Sequence, residues 1–125
     1  MEGGIVATSK ETLRERLGTY RQIRISVVGR KTRRKISVPV WFVVDGNELY
    51  LLPVQGSKTQ WYKNVLKYPS IKIKAGHAEG KLKVTPITDT KPVASVVEKF
   101  RDKYGAGDVK KYYSKLDVAV VARLG

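Results

Sequence analysis

The stretch Val28–Trp41, VGRKTRRKISVPVW, places five cations within the six residues 30–35, between two apolar runs. Upstream, Ile23, Ile25 and Val27 alternate with Arg24 and Ser26, the two-residue period of a half-buried strand. Downstream, residues 36–44 are dense in β-branched and aromatic side chains and read as a second strand. Two strands joined by a turn that begins at Gly29 form a hairpin. A hairpin starts an antiparallel sheet, and the remaining segments are read against it.

Asp45-Gly46-Asn47-Glu48 is a tight turn, and residues 49–54 are a third strand. Gln55-Gly56-Ser57 then leads into a helix over residues 58–67, stopped before Pro69. Ser57 is its N-cap; Trp61 and Val65 share its apolar face, which leaves Tyr62 and Asn64 accessible. Residues 71–74 alternate again, and Leu82, Val84 and Ile87 belong to a further strand, with Gly76 and Gly80 between the two. Thr90 caps a longer helix with Pro92 in its first turn and Val93, Val96, Val97, Phe100 and Tyr104 at helical spacing. Gly105 ends it, Asp108 starts a short turn, and residues 117–123 form the last strand. At the other end, Thr8-Ser9-Lys10-Glu11 has the form of a capping box ahead of Leu13 and Leu17. The order α-β-β-β-α-β-β-α-β predicts a mostly β fold. Its six antiparallel strands close into a small barrel with flanking helices. Residues 1–125 are read as one domain, a length that suits a single core.

Lys plus Arg number 25 against 11 Asp plus Glu, a formal net charge of +14. That excess favours anionic partners: nucleic acid, phosphorylated small molecules or an acidic surface. There is no cysteine, which excludes disulfides, thiolate catalysis and Cys-based metal sites. The first seven residues are too short and acidic for a signal peptide, and no apolar run reaches the roughly 18 residues of a membrane span. These features read as a cytoplasmic protein without a membrane span.

The basic turn has two readings. Arg forks, Lys point charges, the Thr32 hydroxyl and the N–H groups of a glycine-led turn are what a phosphate needs. Alternatively, charges at a hairpin tip guard strand ends against aggregation. The cluster favours the anion site. Lys72, Lys74, Lys81 and Lys83 recur two apart and fall on one outward sheet face, but no aromatic residue lies between them. Base stacking needs such a platform, so a solvent face is the preferred reading there. The Gly56 turn is a second clue, because a helix start carries unpaired N–H groups and glycine lets a flat ligand approach the backbone. His77 is the single histidine, without a cluster around it, and no metal site is expected. No nucleophile elbow or Walker motif occurs.

Taken in order, Gly29-Arg30-Lys31-Thr32, Val38-Pro39-Val40, the glycine turn, Trp61-Tyr62-x-Asn64-x-Leu66 and Tyr68-Pro69 resemble the deazaflavin-dependent nitroreductase family. This is a branch of the flavin and deazaflavin oxidoreductases, related to pyridoxamine-phosphate-oxidase-like proteins. The similarity runs over about residues 20 to 123 and includes Lys103-Tyr104-Gly105, Tyr112 and Tyr113. It implies a split β-barrel of FMN-binding type and a homodimer with the cofactor in a groove at the subunit interface. The cofactor is coenzyme F-420, with FMN as the alternative; some relatives hold haem. By this resemblance Arg30, Lys31, Thr32 and Arg33 hold the cofactor's phosphate. Pro39, Val40, Pro53, Val54, Gln55, Gly56 and Ser57 face the ring system, and Lys58, Trp61 and Asn64 lie at the groove's edge. Many members carry an arginine where this chain has Ile36, so Arg33, Arg34 or Lys35 supplies that charge.

The expected function is hydride transfer between F-420 or FMN and a small unsaturated acceptor such as a quinone, an enone or a nitro compound. The absence of a catalytic set fits a cofactor enzyme, in which the ring carries the chemistry and the protein binds and orients. Lys58, Tyr62 and Tyr104 are the candidates for stabilising charge or donating a proton, with core packing the preferred role for Tyr104. The alternatives are a flavin- or deazaflavin-binding protein without turnover, and a basic barrel that binds nucleic acid.

Overall fold

The computed structural model describes residues 13–124. Residues 13–17 are helical (α1) and bury Leu13 and Leu17; the Thr8–Glu11 capping box lies outside the described residues. Then follow β1 (Ile23–Val28), β2 (Lys35–Val40), β3 (Phe42–Asp45), β4 (Glu48–Leu51), a 3-10 turn (Gly56–Lys58) and α2 (Gln60–Lys67). The chain continues through β5 (Ser70–Ala75), β6 (Ala78–Ile87), α3 (Thr90–Tyr104), α4 (Ala106–Tyr112) and β7 (Ala119–Arg123).

The seven strands lie in the order β2-β1-β5-β6-β7-β4-β3 with every pairing antiparallel. The two outermost strands, β2 and β3, are consecutive in sequence and separated by Trp41 alone. A sheet whose ends are joined by one residue has to curl, and the result is a half-open barrel, the split β-barrel. β6 carries much of the curl. Its ten residues pair with β5 through Ala78–Lys83 and with β7 through Val84–Ile87.

The strand count corrects the six expected. Residues 36–44 do not form one strand, because the ladder breaks at Trp41. There the indole stacks on the Tyr104 ring, with centroids 4.2 Å apart and planes 7° from parallel. The next amide, Phe42 N–H, donates to the Tyr104 hydroxyl at 3.0 Å instead of to a neighbouring strand. The third strand likewise ends at Leu51, short of Pro53, and β6 begins at Ala78 with Gly80 inside it. A Cβ at Gly80 would come within 2.6 Å of the Leu13 side chain, so the glycine lets α1 lie against the sheet.

Two apolar cores result. Alternate residues of β1, β5 and β6 (Ile25, Val27, Ile71, Ile73, Leu82 and Val84) fill the barrel with Trp61, Tyr62 and Val65 of α2. A second core lies under α3 and α4, where Val93, Val97, Phe100 and Val109 pack on Val43 and Ala119. Asp108 therefore belongs to a seven-residue helix and not an isolated turn. Among the described residues no helix is long and apolar enough to cross a membrane.

Candidate anion groove

The basic turn is built by its own backbone. Gly29 N–H donates to Arg34 O at 2.8 Å, and Arg33 N–H donates to Gly29 O at 2.9 Å. Thr32 Oγ1 accepts from Arg34 N–H at 3.2 Å. Closing so tight a turn puts Arg33 at φ +60°, the left-handed region that non-glycine residues seldom occupy. The turn is docked onto α2 by Arg30. Its amide and its Nη1 both donate to Asn64 Oδ1, at 3.0 and 2.8 Å, and its Nη2 donates to Gln60 Oε1 at 2.9 Å.

Arg30 thus spends much of its donor fork inside the protein. Asn64 is only 4% exposed and Tyr62 only 3%, so the expectation that both are accessible is corrected. α2 presses a wider face against the barrel than the Trp61–Val65 pair alone suggested. Burial, and then the Asp117 charge, push the Tyr62 phenol up from its ordinary value. Lys31, Thr32, Arg33, Arg34 and Lys35 are all exposed.

The turn overhangs a groove of about 1210 Å³ on the outer face of β1, β5 and β6. Arg33 and Lys35 enter it from the turn, and Lys72, Lys81 and Lys83 from the sheet. The register explains the convergence. Ser26 on β1 pairs with Lys72 on β5, which pairs with Lys81 on β6; Ser70 pairs with Lys83, and Val28 with Lys35. Adjacent strands are about 4.8 Å apart and alternate residues share a face, so these side chains stand in neighbouring rows. Ser26 and Ser70 form a short hydroxyl floor, and Tyr68 adds an aromatic ring to the lining. Among the described residues no carboxylate lines the groove. Lys72 has an ion pair just outside, 3.3 Å from Glu79. The other four cations have no acidic partner among the described residues.

The remaining predicted residues lie elsewhere. Pro39 is exposed on edge strand β2, while Val40 points into the barrel. Pro53 is buried and Val54 exposed. Gln55 N–H donates to Thr59 Oγ1, so Thr59 precedes the α-helix and Ser57 sits in the 3-10 turn. Gly56 is occupied differently from the sequence reading. A Cβ there would lie 2.1 Å from Asp117 Oδ1 and 2.9 Å from Lys115 O. This chain's own 115–117 segment occupies the space a Cβ would need, a requirement for glycine that the sequence reading did not give. Ser57 donates to Asp117 through both its amide (3.0 Å) and its hydroxyl (2.6 Å). Burial works to raise the Asp117 carboxyl. The two Ser57 bonds, with Lys115 nearby, outweigh it and hold the group below the usual carboxylate value.

Lys58 is exposed, and Trp61 is buried in the barrel. Tyr104 is 5% exposed, and its hydroxyl is fully engaged. It accepts from Phe42 N–H and lies 2.7 and 2.8 Å from the carbonyls of Arg21 and Phe42, one of which takes its single proton. Burial raises its pKa, although the Phe42 bond and Arg21 oppose that. A phenol so placed packs the core and has no proton to give a bound acceptor.

The sequence reading missed the floor serines, Tyr68 and the participation of the sheet lysines. The lysine spacing was visible. Their meeting with the basic turn was not, because it depends on β1 lying between β2 and β5.

The family model described as "Uncharacterized protein conserved in bacteria (DUF2255)" matches residues 14–123. No curated protein matches the chain in sequence. Among solved structures, an F420-H2 dependent reductase, FDR-A, is 14% identical with a TM-score of 0.65, over 82% of this chain and 94% of that one. The haem storage protein HutZ of Vibrio cholerae is 11% identical with a TM-score of 0.67, over 90% and 87%. An F420 reductase is 20% identical with a TM-score of 0.57, over 82% and 84%. At these identities the likeness is one of fold.

Proposed function

The chain belongs to the DUF2255 family, and from the split barrel and its cationic groove we propose that it is a flavin- or deazaflavin-dependent oxidoreductase. Coenzyme F-420 is the preferred cofactor and FMN the alternative. The observation that carries the proposal is the groove: five cations over a hydroxyl floor, four of them without an acidic partner among the described residues. Like charges held together without counterions repel, and an anionic ligand relieves the repulsion. F420-dependent reductases among the structures of the same fold support the choice of ligand.

Arg33, Lys35, Lys81 and Lys83 would hold the cofactor's phosphate, with Ser26 and Ser70 donating from below. Lys31 and Thr32 extend the same surface at the apex of the turn, and Pro39 is exposed farther along β2. Arg30 and Asn64 position the turn without meeting the ligand directly. Tyr68 offers a face for a planar ring. The cofactor, when bound, supplies the hydride chemistry for an unsaturated acceptor such as a quinone, an enone or a nitro compound. The lysines hold negative charge at the groove and Lys58 remains an exposed cation near α2; the Tyr104 proton is held by a backbone carbonyl. The single domain and the homodimer belong to the same proposal, and sedimentation measures the latter.

Fluorescence titration with F-420 and with FMN tests the reading. Micromolar saturation by one of them is expected, weakened roughly a hundredfold or more in Lys81→Ala/Lys83→Ala, because each charge-assisted contact contributes about 1.5–3 kcal/mol. Absence of binding by both ligands overturns it. Oligonucleotide binding with a steep salt dependence would instead assign the groove to nucleic acid.

A further inference from the structure

The groove on the outer face of β1, β5 and β6 carries its cations on two banks. Arg33 and Lys35 enter from the basic turn and the start of β2, and Lys72, Lys81 and Lys83 from β5 and β6. We propose that the groove takes a ligand with two anionic groups about 1 nm apart on a neutral middle, one group held by each bank. The proposal deepens the anion reading of the groove given above and rests on it.

The strand order sets the span. β2, β1, β5 and β6 are successive neighbours in the sheet. Three spacings of about 4.8 Å root Lys35 and Lys83 about 14 Å apart. Strand side chains stand roughly perpendicular to their sheet, and charged donors to one phosphate stand about 2.7–2.9 Å from its oxygens. A lysine from each bank would meet the same phosphate only by lying flat over the residues between. Those residues are neutral. Val28 pairs with Lys35 on one side, and Ser70 pairs with Lys83 on the other. The β1–β5 register pairs Ser26 with Lys72, and carried two residues farther it sets Val28 opposite Ser70. The row across the groove is therefore cation, apolar, hydroxyl, cation.

The charges divide evenly between the banks. Lys72 lies 3.3 Å from Glu79, which offsets its charge. Among the described residues no other ion pair involves a groove cation, which leaves Arg33 and Lys35 on one bank and Lys81 and Lys83 on the other. Two cations match one phosphate group, which carries about −1.5 to −2 near pH 7. Lys81 and Lys83 are alternate residues of β6, about 6.6 Å apart on one face, close enough to share an anionic group. The banks also differ in kind. The Arg33 guanidinium is a planar fork that fits two phosphate oxygens at once, whereas the lysines are point charges that suit any compact anion. A ligand with one anionic end satisfies one bank and leaves the like charges of the other unrelieved.

The test is isothermal titration calorimetry of the full chain at fixed ionic strength with three probes: hexyl phosphate, α,ω-propanediol bisphosphate and α,ω-hexanediol bisphosphate. Only the hexanediol spacer bridges the banks. That probe is expected to bind roughly a hundredfold more tightly than either of the others, because its second contact is made intramolecularly. Arg33→Ala/Lys35→Ala and Lys81→Ala/Lys83→Ala, all exposed positions, should each bring it down to the level of hexyl phosphate. Propanediol bisphosphate binding as tightly as hexanediol bisphosphate would show attraction by charge alone; it overturns the proposal and leaves the anion reading standing. A hexanediol advantage that survives in either double variant also overturns it. Binding of none of the three overturns the proposal and the anion reading together. The comparison of probes is made on the unaltered chain, so it holds whether or not a variant folds.

Discussion

At the scale of single residues, Gly56 is constrained by both its backbone and its surroundings. Its φ of +55° is left-handed, and a Cβ would enter the space of Asp117 Oδ1 and Lys115 O. Gly56→Ala is therefore expected to cost roughly 2 kcal/mol or more, from αL strain and displacement of the 115–117 segment, read as a lower urea midpoint at unchanged slope. The partner residue gives a pH signature. Asp117 has a folded pKa below its unfolded one, so its contribution is complete at neutral pH. That contribution is lost as acid protonates the carboxyl through the unfolded and then the folded value. Ser57→Ala removes the hydroxyl bond, should cost about 1 kcal/mol at pH 7, and should cost less in acid as the Asp117 carboxyl becomes protonated. An equal loss at neutral and acid pH would mean that Ser57 acts by packing. Glycine before a helix was legible as a special position. What stood against it was not, since Asp117 lies at the far end of the chain, next to the last strand.

At the scale of elements, the basic turn and α2 behave as one unit. α2 has only eight residues, no acidic residue in its first turn and no side-chain N-cap, so it owes little to propensity and much to burial. Its buried Asn64 takes two hydrogen bonds from Arg30. Asn64→Ala would strand the Arg30 amide, and a cost of about 1–3 kcal/mol is expected from thermal unfolding. The same variant should weaken cofactor binding several-fold, because the turn carrying Arg33 and Lys35 loses its anchor. Unchanged affinity would show that the turn is fixed by its internal bonds alone. The hairpin, the helix and the cations were legible because each is local: a two-residue period, a proline stop, a charge run. The docking was not, because Asn64 reads as a polar helix residue until a buried donor is known to need it. The break at Trp41 was hidden for a related reason. β-propensity is high through residues 36–44, and only the Tyr104 hydroxyl, brought from α3, competes for the Phe42 amide.

Across the whole molecule, the curled sheet separates three chemical environments: a barrel core, a second core under α3 and α4, and a cationic outer face. Order and pairing of strands decide what meets what, and pairing is the long-range information that alternation alone lacks. The same arrangement buries ionisable groups of opposite response, which predicts a stability curve with a maximum in mild alkali. Lys103 titrates near 8 when folded and near its ordinary 10.5 when unfolded. Between those values the unfolded chain binds more protons, so stability rises with pH; below about 8 the cost of burying the ammonium is fully present. The tyrosines act in the other direction. Burial first, and then Glu48, push Tyr50 up to about 12, and burial first, and then Tyr104, push Tyr113 higher still. From about pH 10 the unfolded chain releases phenolic protons that the folded chain keeps, and stability falls. Urea midpoints should climb from pH 7.5 to a maximum between about 9 and 10, then decline. Lys103→Met should flatten the climb and leave the decline, since the tyrosines remain. A climb that survives Lys103→Met would place its origin in another group.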